Sequence, residues 1–224
     1  MQISKETLEV LHNFATINPN ILISPGKQLK TIAEAKNILA QAEVTDEFPR
    51  EFGIYDLNEF LSVINLIDNA QLTFTDEGHV LVQNSNAKIK YYYSEPEILT
   101  TPKKEITMPD PEFTVNITED QLGQIRKAAA VLGHAELVLT NTKTGIRGEV
   151  YDVNDATSNN YSLLIDSDNA STDNFKFIFS ITNLKLLPGD YYVNISSELI
   201  SHWTNDNYPA DYYIALEKGS EYNV

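Results

Sequence analysis

Apolar residues recur at helical spacing in a few short stretches of this chain and alternate with polar ones in many others. Residues 4–15 place Leu8, Leu11 and Ala15 three to four positions apart behind Ser4, a good N-cap, which predicts a helix. Residues 118–132 repeat the arrangement, with Thr118 as the cap and Leu122, Ile125, Ala129 and Leu132 as the apolar stripe. The two caps lie 114 residues apart. Each helix precedes a series of β-rich runs. In the first half these are 21–24, 35–44, 70–75, 79–84 and 87–93; in the second, 135–141, 145–153, 161–166, 175–181, 190–196 and 212–216. Turn signals at Asp76-Glu77-Gly78, Lys143-Thr144-Gly145 and Pro188-Gly189 separate them. A shorter helical piece falls midway through each half, clear over 55–64 and weaker over 181–187. The pattern reads as one design stated twice.

Residues 94–112 carry Pro96, Pro102, Pro109 and Pro111, four of the nine prolines, so they form no regular element. The expected organisation is α+β: an N-terminal domain over 1–93, an extended connector over 94–112 and a C-terminal domain over 113–224. Each domain has two helices packed on antiparallel sheet.

Composition narrows the chemistry. The chain has 224 residues, 16 basic and 32 acidic, for a net charge of −16. Residues 1–112 hold 9 basic and 17 acidic residues and 113–224 hold 7 and 15, so each half carries −8. On bulk charge alone nucleic acid is repelled at long range. There is no cysteine, which removes disulfides and thiolate chemistry and fits a reducing cytoplasm. The opening MQISKETLEVLHNF has acids where a signal peptide needs apolar residues, and no apolar run approaches the ~18–20 residues of a membrane span. His12, His79, His134 and His202 share no metal-ligand spacing. Pro25-Gly26-Lys27-Gln28 lacks the upstream glycine and the Ser/Thr of a phosphate-binding loop. Asp166-x-Asp168-Asn169 resembles the start of a calcium loop but has Phe177 where the closing glutamate belongs, and reads as a solvated turn. The expectation is a protein without catalytic residues, metal or cofactor.

The order of motifs along the chain resembles a known family. The residues that carry it are Lys5, the block Asn13-Phe14-Ala15-x-Ile17-Asn18, and Tyr55-Asp56-Leu57-Asn58-x-Phe60-Leu61-Ser62. Asn183-x-Lys185-x-x-Pro188-Gly189 and Tyr213-Ile214-Ala215-x-Glu217 continue it. Helix–strands–helix–strands, duplicated and joined by a linker, is similar to the DNA sliding clamps, and closest to the polymerase processivity factors of T-even-type bacteriophages. The proline-rich connector and the last seven residues depart from the family. The resemblance implies a duplicated DNA-clamp fold and a homotrimeric ring in the host cell cytoplasm. An ATP-driven clamp loader would place the ring on duplex DNA, where it slides and tethers the replicative DNA polymerase. It also admits the transcription machinery as a partner and involves no membrane. A ring answers the charge objection, because topology holds it on DNA and only the inner wall must tolerate phosphates, within a screening length of about 8 Å.

By resemblance the helices line the hole. Lys5, His12, Arg126, Lys127 and Lys185 are then the DNA-facing candidates. Ring closure by strand pairing would use Lys88, Ile89, Lys90, Tyr91 and Tyr92 of one copy and Tyr161, Leu163, Leu164 and Ile165 of the next. A partner peptide would dock on Val44, Ile98, Leu99, Ile106, Met108, Ile214 and Leu216. The competing reading is a non-catalytic phage virion or carbohydrate-binding β-protein, its tyrosines and Trp203 serving as stacking platforms.

Overall fold

The computed structural model describes residues 1–167 and 174–223; Asp168 and Asn169, part of the calcium-like stretch, lie outside them. Two compact units divide the chain, Met1–Glu105 and Ile106–Val224.

The N-terminal unit opens with α1 (Lys5–Ile17), held at its start by Ser4, whose Oγ accepts from the Thr7 amide at 3.2 Å. The buried face of α1 is Thr7, Val10, Leu11, Phe14, Ala15 and Ile17, rotated from the expected stripe, so Leu8 is only half-buried. Strands β1 (Ile21–Ile23), β2 (Gly26–Ile32), β3 (Ile38–Phe48) and β4 (Phe52–Ile54) follow. β1 pairs antiparallel with β4, and β2 with β3 across a tight turn where Lys36 takes φ 58°. Helix α2 (Leu57–Leu66), capped by Asp56, packs against α1 and buries Leu57, Phe60, Leu61 and Ile64. Strands β5 (Gln71–Phe74), β6 (His79–Gln83) and β7 (Lys88–Tyr92) form a meander in that order.

The expected connector begins as part of this unit. The Ser94 amide donates to the Gly53 carbonyl at 2.9 Å, and a single 3-10 turn follows at Pro96–Ile98. A Cβ on Gly53 would lie 2.4 Å from the Ser94 carbonyl oxygen and 2.7 Å from Leu99 Cδ1, so only glycine lets β4 and this segment approach.

In the C-terminal unit, β8 (Phe113–Ile117) leads into α3 (Glu119–Leu132), which starts with a complete capping box between Thr118 and Gln121 and ends at Gly133 in the left-handed conformation. Then come β9 (Glu136–Thr142), β10 (Gly145–Val150), β11 (Tyr161–Asp166), β12 (Phe175–Ser180), β13 (Tyr191–Ser196), β14 (Ile200–Asn205), β15 (Ala210–Ala215) and β16 (Glu221–Tyr222). One sheet runs β11-β10-β9-β12-β16, and a second set pairs in the order β15-β14-β13-β8. α3 lies on β10 and β11 through Leu122, Ile125 and Ala129.

The helix expected over 181–187 is a single 3-10 turn at Ile181–Asn183. Leu184, Leu186 and Leu187 are all buried, a spacing that does not suit one helix face, and Pro188 disfavours helical backbone at the residue before it. The tail of this segment is held by side chains instead. The Leu187 amide donates to the Tyr212 hydroxyl at 3.2 Å, and the Tyr191 hydroxyl donates to the Leu187 carbonyl at 2.7 Å. Burial pushes both phenols well above their ordinary range, so both keep their protons.

The second core is aromatic. Trp203 is fully buried, edge-on to Phe179 and Tyr191, and its Nε1 donates to Ser201 Oγ at 2.8 Å. That corrects the stacking-platform reading for Trp203, which like Tyr191 and Tyr212 is a core side chain and offers no face to a sugar.

Candidate nucleic-acid and subunit interfaces

Side chains on the outer face of α1 follow from its buried stripe. Lys5 and His12, seven apart, are both exposed, and Thr16 continues the row. Lys5 Nζ sits 3.4 Å from Glu9, an exposed i,i+4 pair that contributes little to stability and partly neutralises the lysine. On α3, Asp120, Arg126 and Lys127 are exposed and Gln124 is half-buried, donating to Asp120 at 2.6 Å. Lys185 is half-buried. Arg126 is anchored within its unit: its Nη2 donates to the Leu184 carbonyl at 2.8 Å. The candidates of each unit therefore share outer helix faces or the adjoining turn, interleaved with acids.

The two strands singled out for pairing are both sheet edges. β7 closes the order β5-β6-β7 and β11 opens β11-β10-β9-β12-β16, so each has one hydrogen-bonded neighbour among the described residues. β7 alternates: Lys88, Lys90 and Tyr92 are exposed, whereas Ile89 and Tyr91 are half-buried. Tyr91 packs its ring 5.1 Å from Phe60, and its hydroxyl lies 3.2 Å from both the Asp56 carbonyl and Glu59 Oε2. Burial and then the Glu59 carboxylate push this phenol up, so it remains a donor. β11 alternates less cleanly, since Tyr161, Ser162 and Leu163 are all half-buried. Tyr161 donates to Gln124 at 2.9 Å and Ile165 is buried, Leu163 is half-buried, and Leu164 is exposed on the other face. Gln121 Nε2 reaches the Ile165 carbonyl at 2.8 Å and ties α3 to the edge.

On α2 and α3 the structure exposes apolar side chains that were not anticipated. Leu66, at the end of α2, is 74 % exposed. Val131 on α3 is 84 % exposed and stands at the mouth of a groove of about 370 Å³ shared with Ala128, Leu132 and Tyr161. Both residues lie off the core stripes of their helices, which is the signal the sequence offered.

The seven residues assigned to a partner peptide are in different environments. Val44, Leu99, Ile214 and Leu216 are buried, Met108 is half-buried, and Ile106 and Ile98 are exposed. Among the described residues no group of acids and histidines could hold a metal ion, and no helix is long and apolar enough to cross a membrane.

A family model described as DNA polymerase processivity factor matches residues 4–98. Over 222 residues the chain is 32 % identical to the sliding clamp of Vibrio phage KVP40, covering 97 % of this chain and 99 % of the relative. It is 28 % identical to the sliding clamp of Enterobacteria phage T4, with both covered in full. Among solved structures, A. fulgidus PCNA bound to the C-terminal region of FEN-1 superposes with a TM-score of 0.70 at 12 % identity, covering 96 % of each chain. Entamoeba histolytica proliferating cellular nuclear antigen does so with 0.67 at 13 % identity, covering 95 % of each. These two likenesses speak to fold, which is the duplicated α+β clamp fold; the phage relatives speak to descent. The chain belongs to the sliding-clamp family of phage DNA polymerase processivity factors.

Proposed function

We propose that three copies of this chain close head-to-tail into a ring around duplex DNA, where the ring slides and tethers the replicative polymerase. The observation that carries the ring is the pair of matched edges. β7 and β11 are both terminal strands, and each is flanked by a helix that leaves an apolar side chain in solvent. An edge of that kind is a hazard unless a partner covers it. Pairing β7 of one copy with β11 of the next satisfies both rows of backbone groups, and sets Lys88 and Lys90 of one strand against a strand that ends in Asp166. The contact is heterologous, so it closes when the rotation fits. Leu66 would then enter the groove beside Val131.

Lys5, His12, Lys127 and Lys185 face the hole in this reading. Their acidic neighbours make the wall only mildly attractive, which suits movement along DNA better than tight binding. The domain limits 1–93 and 113–224 and the connector between them belong to the same proposal. An ATP-driven loader opens and places the ring, and the polymerase and the transcription machinery dock on its outside through short peptides. Of the docking candidates Ile98, Ile106 and Met108 are accessible, whereas Val44, Leu99, Ile214 and Leu216 are buried. The protein performs no chemistry of its own and works in the host cytoplasm. The experiment is the double variant Lys5→Glu/Lys127→Glu, assayed for loading and for processive synthesis on a primed circle. Loading is expected to weaken, and because Lys127 also lines the groove beside Val131 the assembly mass is measured alongside; undiminished synthesis would remove these lysines from the inner wall.

A further inference from the structure

The segment after β12 has to present Lys185 without a helix to fix it. In the N-terminal unit, α2 spans ten residues and satisfies its own backbone. In the C-terminal unit the corresponding piece is one 3-10 turn, Ile181–Asn183, closed by the Leu184 amide donating to the Ile181 carbonyl. A single turn leaves its last carbonyls for outside donors. The Leu184 carbonyl has one: Arg126 Nη2 at 2.8 Å, reaching across from the flank of α3. The Ile181 amide is fixed by the Ala135 carbonyl at 2.8 Å, and Leu187 is fixed by Tyr212 and Tyr191. Between these anchors the Lys185 amide donates to the Asn183 carbonyl at 2.9 Å, and Lys185 stands directly after the carbonyl that Arg126 holds.

We infer that Arg126 is a positioning residue: its guanidinium ties the Leu184 carbonyl to α3 and so sets where Lys185 is presented, rather than serving as a free phosphate-binding charge. A charge-assisted bond to a carbonyl fixes a turn more firmly than a neutral one. The part of the inference that concerns DNA rests on Lys185 facing the duplex; the tether itself does not.

The test compares wild type, Arg126→Gln, Arg126→Lys, Lys185→Gln and the double variant Arg126→Gln/Lys185→Gln, all as the full chain. Two readouts are taken: amide hydrogen exchange over residues 181–188, and product length with the cognate polymerase and loader on a primed circle. Loss of the tether is expected to speed exchange at Lys185 and Leu187 roughly tenfold or more, with the α3 amides unchanged. In synthesis, Arg126→Gln and the double variant should be no worse than Lys185→Gln, because both substitutions act through one residue. Unchanged exchange in Arg126→Gln overturns the tether. Additive losses in synthesis overturn positioning. Full rescue of synthesis by Arg126→Lys while exchange stays fast also overturns it, since charge alone would then suffice. A Lys185→Gln variant with wild-type synthesis removes Lys185 from the DNA-facing set, and with it the positioning role; the exchange readout still decides the tether.

Discussion

Ser4 acts twice at the start of α1. Its Oγ caps the helix, and its own amide donates to Asp46 Oδ2 at 2.8 Å on β3. Replacing Ser4 by alanine is expected to cost about 1 kcal/mol, measurable by chemical denaturation. Asp46 gives the same contact a pH dependence. Burial works to raise its carboxyl, but hydrogen bonds from Thr7 and Ser4 outweigh it, and the pKa lies below the ordinary 3.8. Glu112 is lowered likewise, where the Ser197 amide and hydroxyl outweigh burial. A depressed carboxyl binds fewer protons folded than unfolded, so its contribution is present above the unfolded pKa and is lost as pH falls through the folded one. The melting temperature should therefore hold from neutrality to about pH 5 and fall below about pH 4, and less steeply in Asp46→Asn. A curve of unchanged slope in that variant would assign the acid transition elsewhere. Gly145 is a further sensitive point: it takes φ 115°, and a Cβ there would lie 2.1 Å from the Asp166 carbonyl oxygen. Gly145→Ala should destabilise the protein by about 1–3 kcal/mol and disturb the end of the β11 edge, seen as a lowered denaturation midpoint. The caps at Ser4 and Thr118 and the turn at Lys143-Thr144-Gly145 were legible in the sequence, because each uses a local rule that needs no tertiary partner.

At the scale of elements, the helices α1, α2 and α3 and most strands stand where the apolar periodicity put them. β2, β4, β8, β14 and β16 were not expected from the sequence; β8 does alternate, burying Phe113, Val115 and Ile117, so its signal was there to read, whereas the other four lack a clear period. β2 reads Gly-Lys-Gln-Leu-Lys-Thr-Ile, with only Leu29 and Thr31 buried, so no apolar alternation marks it. β14 buries Ser201, whose hydroxyl donates to the Ile214 carbonyl at 2.8 Å and accepts from Trp203; a polar residue at a core position breaks the alternation. β4 and β16 are three and two residues long, too short to show a period. The candidate edges were legible as strands. Their apolar flanks were not, since Leu66 and Val131 look like tolerated surface residues until their exposure, and the groove beside Val131, are seen. Leu66→Asp or Val131→Asp should leave the fold intact and shift the assembly toward monomer by at least tenfold in dissociation constant, read by sedimentation equilibrium. An unchanged constant in both variants would detach α2 and α3 from the interface.

For the whole molecule the decisive relation is between charge and topology. A chain of net charge −16 has no general affinity for nucleic acid, and its cationic residues are interleaved with acids even on the helices proposed to face DNA. In the proposed ring, retention comes from encirclement, and encirclement from edges that pair between copies. The sequence carried this conclusion only through resemblance, because duplication over 114 residues is visible in one chain whereas the surface that joins copies is not. The most direct measurement is a single-particle reconstruction of the protein in solution, with and without primed duplex. The expected result is a closed assembly of three 25.2 kDa chains, β7 against β11 at each joint, around a channel that admits B-form DNA and is faced by α1 and α3. Monomers or dimers at all concentrations, or an assembly with no such channel, would contradict it.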